Sequence, residues 1–237
     1  MNTLLPIKNR SVYHYSLEAW LLASCLFSVA LLFARIVATG QATYVFLVWN
    51  LFLAFIPFAI SRTIIGTPPV NYKRWKIVAT LGVWLLFIPN SFYIITDLFH
   101  LEYFSGPPKW FDLLLLLSFA WNGLVLGILS LSQVESFIEK ARGKGFSLTI
   151  VVFVMWLNAF GIYVGRYLRY NSWDVIVQPV SLFQEMMEIL LHPLQNRMEW
   201  GMITCYAVFM SLLYVTIRSL SLGFTPGQTI NQKTNQS

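Results

Sequence analysis

Asn90, Tyr93, Asp97 and His100 are spaced by three, four and three residues in the stretch "PNSFYIITDLFHL". That spacing puts them on one face of a helix, with Thr96 beside them. A carboxylate and an imidazole one turn apart suit proton transfer, metal ligation or recognition of a charged group. A second set lies in "GIYVGRYLRYNSWD", which holds Arg166, Arg169, Asn171, Trp173 and Asp174. Arg166 and Arg169 are three apart, and two arginines so placed can grip a phosphate or carboxylate with paired N–H donors. The catalytic candidates are Asp97 and His100, with the arginines stabilising phosphate charge. The same two residues are the weak metal candidates. A metal site needs further ligands, for which Glu102, Asp112, Asp174 and His192 have the right chemistry.

The bland alternative has weight. The stripe on the first helix can simply face neighbouring helices, and Pro89 withholds an N–H and kinks the helix, which leaves backbone for Asn90 to bond. The arginines can pair with Asp97, Asp112 or Asp174, or reach lipid headgroups. Against this, ionisable groups at membrane depth usually mark function.

The elements that must position these residues are membrane spans. The chain has 237 residues, 57% hydrophobic and 11% charged, whereas a soluble domain carries roughly 25% charged residues. Six apolar runs are long enough to cross a bilayer: 17–38, 42–60, 77–96, 111–131, 146–167 and 201–222. The first run follows Lys8 and Arg10 but exceeds a signal-peptide core, so it reads as a retained helix. The expected fold is an all-α polytopic bundle of about six transmembrane helices in one domain spanning residues 1–237, with a flexible tail at 225–237.

Lysines and arginines split 11 to 4 between alternate loops. The richer set holds both termini, which are therefore expected on the cytoplasmic side of a plasma membrane. Asp97, Asp112, Arg166 and Asp174 then converge at the outer level. The net charge of +6 bears on orientation and implies no nucleic acid. The lipid bilayer is an expected partner, with an anionic ligand or lipid headgroup beside it.

Smaller features fit this frame. Gly161 and Gly165, and Gly123 and Gly127, are pairs that allow close helix approach. Asn122 is expected to bond another helix, Trp110 to mark the membrane boundary, and Asp112 to favour a helix N-terminus. "QPVSLFQEMMEILLHP" reads as a short amphipathic helix in the last outer loop. Ser181, Gln184, Glu185, Glu188 and His192 lie on one side of it, with Leu182, Phe183, Met186 and Leu190 mostly on the other, so its acidic face is expected to cover the polar site. Cys25 and Cys205 sit in apolar runs and read as core residues. No phosphate-binding loop, zinc-protease motif or nucleophile elbow is present.

The two quoted motifs, taken together and in this order, resemble those of a bacterial family of polytopic membrane proteins known as domain of unknown function 1361. The resemblance rests on Pro89, Asn90, Tyr93, Thr96, Asp97, His100 and Leu101, and on Gly161, Gly165, Arg166, Arg169, Asn171, Trp173 and Asp174. It implies a bacterial integral membrane protein and brings no activity or cofactor with it. Three functions remain open. The site binds an anionic small molecule or lipid headgroup, or it is a membrane-embedded enzyme, metal-dependent or not, on a phosphorylated or lipid substrate. In the third, the protein is a small-molecule transporter whose helix is broken at Pro89.

Overall fold

The structure is a computed structural model that describes residues 9–66, 74–102 and 108–223. The tail at 225–237, Lys8, Lys73 and Pro107 lie outside the described residues, as does the side chain of Glu102. Among the described residues eight α-helices follow one another: α1 (Asn9–Thr39), α2 (Phe46–Gly66), α3 (Arg74–Tyr93), α4 (Lys109–Arg142), α5 (Lys144–Arg166), α6 (Asp174–Val177), α7 (Pro179–Leu191) and α8 (Arg197–Gly223). A 3₁₀ segment, Ile94–Glu102, continues α3. No strand occurs among the described residues. Among the described residues six segments are long and apolar enough to span a membrane: Leu17–Thr39, Phe46–Gly66, Trp75–Leu101, Lys109–Arg142, Lys144–Arg166 and Arg197–Ser221. They coincide with the six runs read from the sequence and extend most of them by a turn or more.

α4 is the central helix and packs on α1, α2, α3, α5 and the 3₁₀ segment. One apolar cluster joins α3, α4, α5 and α8 through Trp84, Phe92, Met155 and Tyr214. A second joins α1, α2 and α4 through Leu32, Leu47, Leu115 and Phe119. Lipid gives helices no hydrophobic drive to associate, so close packing and interhelical hydrogen bonds must do so. The bonds are present. Asn122 donates to Ser28 of α1 at 2.9 Å, Ser91 donates to the Ala54 carbonyl of α2 at 2.9 Å, and Trp84 donates to Ser130 of α4 at 2.8 Å. At the end of the bundle opposite Asp97, Tyr214 donates to Glu135 and Arg218 pairs with that carboxylate at 3.0 Å. This ties α8 to α4.

The close packing centres on α3. A Cβ built on Gly123 would collide with the Ile94 side chain, and one on Gly127 would lie 2.9 Å from Ser91 Cβ. On the other side, a Cβ on Gly161 would lie 2.8 Å from the Pro89 ring, and one on Gly165 would lie 3.2 Å from the Tyr93 ring. α3 and its continuation are therefore gripped between glycines of α4 and α5. Pro89 keeps the helix from bonding at Leu85, and from Ile94 the chain tightens to 3₁₀ geometry. Thr96 closes the turn by donating to the Tyr93 carbonyl at 2.7 Å.

The charged groups at the Asp97 end include a pair the sequence did not reveal. Arg35 of α1 donates to both oxygens of Asp112, from Nε at 2.8 Å and Nη2 at 3.2 Å, and its guanidinium lies 4.4 Å from the Tyr44 ring centroid. Asp112 thus anchors α1 to α4 besides sitting in the first turn of α4.

The glycine grip predicts an asymmetry. Gly161→Val should destabilise the protein by about 1–3 kcal/mol through overpacking against the Pro89 ring. Gly82→Ala, whose added Cβ meets nothing within 4 Å, should be neutral or slightly stabilising. Thermal melts of the two variants in the same detergent check this, and equal melting temperatures would contradict the grip.

Candidate functional site

The 3₁₀ segment decides what the α3 stripe becomes. An α-helix turns through about 3.6 residues and a 3₁₀-helix through about 3.0, so the polar face rotates after Tyr93. Asn90 and Tyr93 line a cavity between α3 and α5, whereas Asp97 and His100 turn towards α2 and the end of α5. One stripe in the sequence becomes two neighbouring sites.

Asp97 is buried. Its Oδ2 accepts from Asn50 Nδ2 of α2 at 2.7 Å, and its Oδ1 lies 3.8 Å from Arg166 Nη1. Arg166 Nη2 is 3.4 Å from His100 Nδ1, and the guanidinium carbon is 5.5 Å from the Phe99 ring centroid. His100 Nδ1 is also 3.1 Å from the Asp97 carbonyl, and its ring lies 5.1 Å from that of Phe46. Tyr44 donates to the His100 carbonyl at 3.2 Å. Burial first, and then the Asp112 carboxylate, push the Tyr44 phenol above its usual pKa, so it remains a donor. Through Tyr44 the Arg35–Asp112 pair and the Asp97–Arg166 pair form one continuous polar layer.

The other residues singled out from the sequence do different things. Arg169 is exposed and has φ +62°, the one positive φ among the described non-glycine residues. It turns the chain back after α5, with Tyr170 N bonding to the Val164 carbonyl at 3.3 Å. Asp174 does not reach the arginines. Its Oδ2 accepts from the Asn171 backbone N–H at 2.6 Å and holds the turn. Trp173 packs edge-on against Trp49 at 6.2 Å. Asn90 donates to the Phe87 carbonyl and to Ser172 Oγ, both at 2.9 Å, so it joins α3 to this returning loop.

Beneath that loop lies a cavity of about 420 Å³. Leu85, Leu86, Leu157 and Phe160 form much of its wall, and Leu182 and Met186 of α7 form its roof. α7 therefore turns apolar residues inward, unlike the acidic cover expected from the sequence. The reason is the cavity itself, which is mostly apolar. Glu185 accepts from Tyr170 at its edge, at 3.0 Å, and Glu188 is exposed. Phe183, Leu190 and Leu191 face outward, as suits a helix at a lipid–water boundary.

The suggested metal ligands do not gather. Asp112 is held by Arg35, Asp174 by Asn171, and His192 is exposed. Among the described residues no group of three or more His, Cys, Asp or Glu side chains could hold a metal ion. Sequence reading missed Asn50, Tyr44 and Arg35. Each carried a signal, since an asparagine in "FLVWNLFLAF" and an arginine inside an apolar run both need partners at membrane depth.

No curated protein and no solved structure matches the chain. A family model described as protein of unknown function (DUF1361) matches residues 49–213, from the first turn of α2 to late α8. That interval contains Asn50, the whole 3₁₀ segment, Arg166 and the α6–α7 loop. With more than half of its length matched, this chain, a helical protein with six membrane-span-like helices, belongs to the DUF1361 family of proteins of unknown function.

Proposed function

We propose that the protein binds an anionic group, carried by a lipid headgroup or a small molecule, at the Arg166 end of the bundle. We further propose that this end faces out of the plasma membrane of a bacterial cell, with both termini cytoplasmic. The supporting observation is a contrast between two arginine–aspartate pairs in one layer. Arg35 is fully buried and engages both oxygens of Asp112. Arg166 stands 3.8 Å from Asp97, beyond hydrogen-bond distance, and its side chain is 17% exposed. Asp97 meanwhile takes its short bond from Asn50. The first guanidinium is used up by its partner. The second keeps N–H donors for a ligand, and guanidinium donors suit phosphate and carboxylate. Exposed Arg169 adds positive charge nearby.

The binding role is preferred to the enzymatic one because Asp97 is buried and bonded to Asn50 at 2.7 Å, which leaves the carboxylate poorly placed as a free base. Transport is disfavoured for a different reason. Pro89 is held in the grip of Gly161 and does not open a broken helix.

Two outcomes follow. Arg35→Gln leaves Asp112 buried and unpaired and should cost about 3–5 kcal/mol of stability, with no specific effect on ligand selectivity in whatever protein remains folded. Arg166→Gln should cost less stability and should lower retention of phosphatidylglycerol relative to phosphatidylcholine by about tenfold, the value of one charge-assisted bond. Native mass spectrometry of the purified variants reads both lipids. Undiminished phosphatidylglycerol preference in Arg166→Gln would refute the anion site.

Orientation is tested separately, in intact cells, with Cys25 and Cys205 replaced by alanine. A membrane-impermeant thiol reagent should label Leu194→Cys and miss Gly143→Cys. Labelling of Gly143→Cys alone would reverse the assignment.

A further inference from the structure

The cavity between α3 and α5 adjoins the Arg166 site at Asn50, which lines it and also bonds Asp97. Its walls on α2, α3 and α5 belong to the spans Phe46–Gly66, Trp75–Leu101 and Lys144–Arg166, where the medium is hydrocarbon, and its roof and much of its polar end come from the 170–186 stretch beyond them. Along α3 its wall runs from Gly82 to Tyr93, about 16 Å at the rise of an α-helix. No charged side chain lines it. Its polar groups gather towards one end, where Asn90, Tyr93, Asn171 and Ser172 meet. At the other end Gly82 is exposed, and a Cβ added there meets nothing within 4 Å. The volume of about 420 Å³ is that of a ligand site and not of a packing defect.

We infer that this groove takes one hydrocarbon chain of a membrane lipid, lying along α3 under the roof of Leu182 and Met186, with the lipid's polar linkage at the Asn90–Ser172 end. The occupant follows from the setting. A long, uncharged groove at bilayer depth is wetted by acyl chains and not by water. An empty apolar trough would also forfeit dispersion contacts along its whole length. Asn90 spends both amide protons on Phe87 and Ser172, which leaves its carbonyl oxygen to accept from a hydroxyl near the head. The groove would hold a chain whatever the head's charge, so this inference is separate from the anion site.

The test uses full-length protein reconstituted in phosphatidylcholine nanodiscs, extracted into mild detergent, washed, and analysed by native mass spectrometry. Wild type should keep one phosphatidylcholine per chain. Gly82→Phe places a ring at the open end of the groove, where an added Cβ meets nothing within 4 Å, and Leu86→Trp fills the wall higher up. Each should lower retention at least about tenfold, the equivalent of about two methylenes excluded. Val152→Phe, at an exposed position of α5 on the helix face opposite the groove-lining Gly161, should retain lipid as wild type does. Melting temperatures near that of wild type qualify a variant for the comparison. Arg166→Gln should keep its phosphatidylcholine even where it loses phosphatidylglycerol preference, which separates the chain groove from the anion site. No retained lipid in wild type, or wild-type retention in both folded groove variants, would overturn the inference.

Discussion

Asp97 is a carboxylate inside a membrane helix, and the layer around it follows from that one constraint. An unpaired charge at such depth costs several kcal/mol, so partners must converge from other helices. Asn50 comes from α2 and Arg166 from the end of α5, with His100 one 3₁₀ turn onward. The same rule operates at Arg35 and Asp112, where the partners close on each other completely. The two pairs therefore solve one problem in two ways. A closed pair, buried on both sides, fastens α1 to α4. An open pair, with its carboxylate partly satisfied elsewhere, leaves a guanidinium accessible.

That geometry depends on how closely α3 is held. Gly123 and Gly127 admit Ile94, Ser91 and Phe92 from one side, and Gly161 and Gly165 admit Pro89 and Tyr93 from the other. With α3 fixed against both neighbours, the 3₁₀ segment leaves it in a defined direction and carries Asp97 to Asn50. The loop after α5 is steered by the same helix, because Asn90 and Ser172 tie Arg169 and its neighbours back over α3. The Arg166 cluster and the apolar cavity thus share one backbone support while presenting different chemistry, one charged and partly exposed, the other uncharged and mostly apolar.

Much of this was legible in the sequence, for definite reasons. The six spans were visible because bilayer thickness dictates the length of an apolar run. The glycine pairs were visible because four-residue spacing repeats on one helix face. The stripe of Asn90, Tyr93, Asp97 and His100 was misread in part, since the reading assumed one helical period throughout. The change of period at Ile94 splits the stripe, and no single residue announces it. Asp112 was read as a helix-terminus charge because its partner, Arg35, lies 77 positions away, and local periodicity carries no information about which distant helices meet. The acidic side of α7 drew attention as a cover for charge. Its roof residues, Leu182 and Met186, are governed instead by the apolar cavity beneath them.

The central claim is that Arg166, unlike Arg35, keeps donors free for an anion. An experimental density map of the protein in nanodiscs containing phosphatidylglycerol tests it most directly. The account predicts Arg35 closed on both oxygens of Asp112, and a phosphate-sized feature within about 2.7–3.2 Å of the Arg166 guanidinium. A map in which Arg166 closes on both oxygens of Asp97, with no anion beside it, would contradict the account.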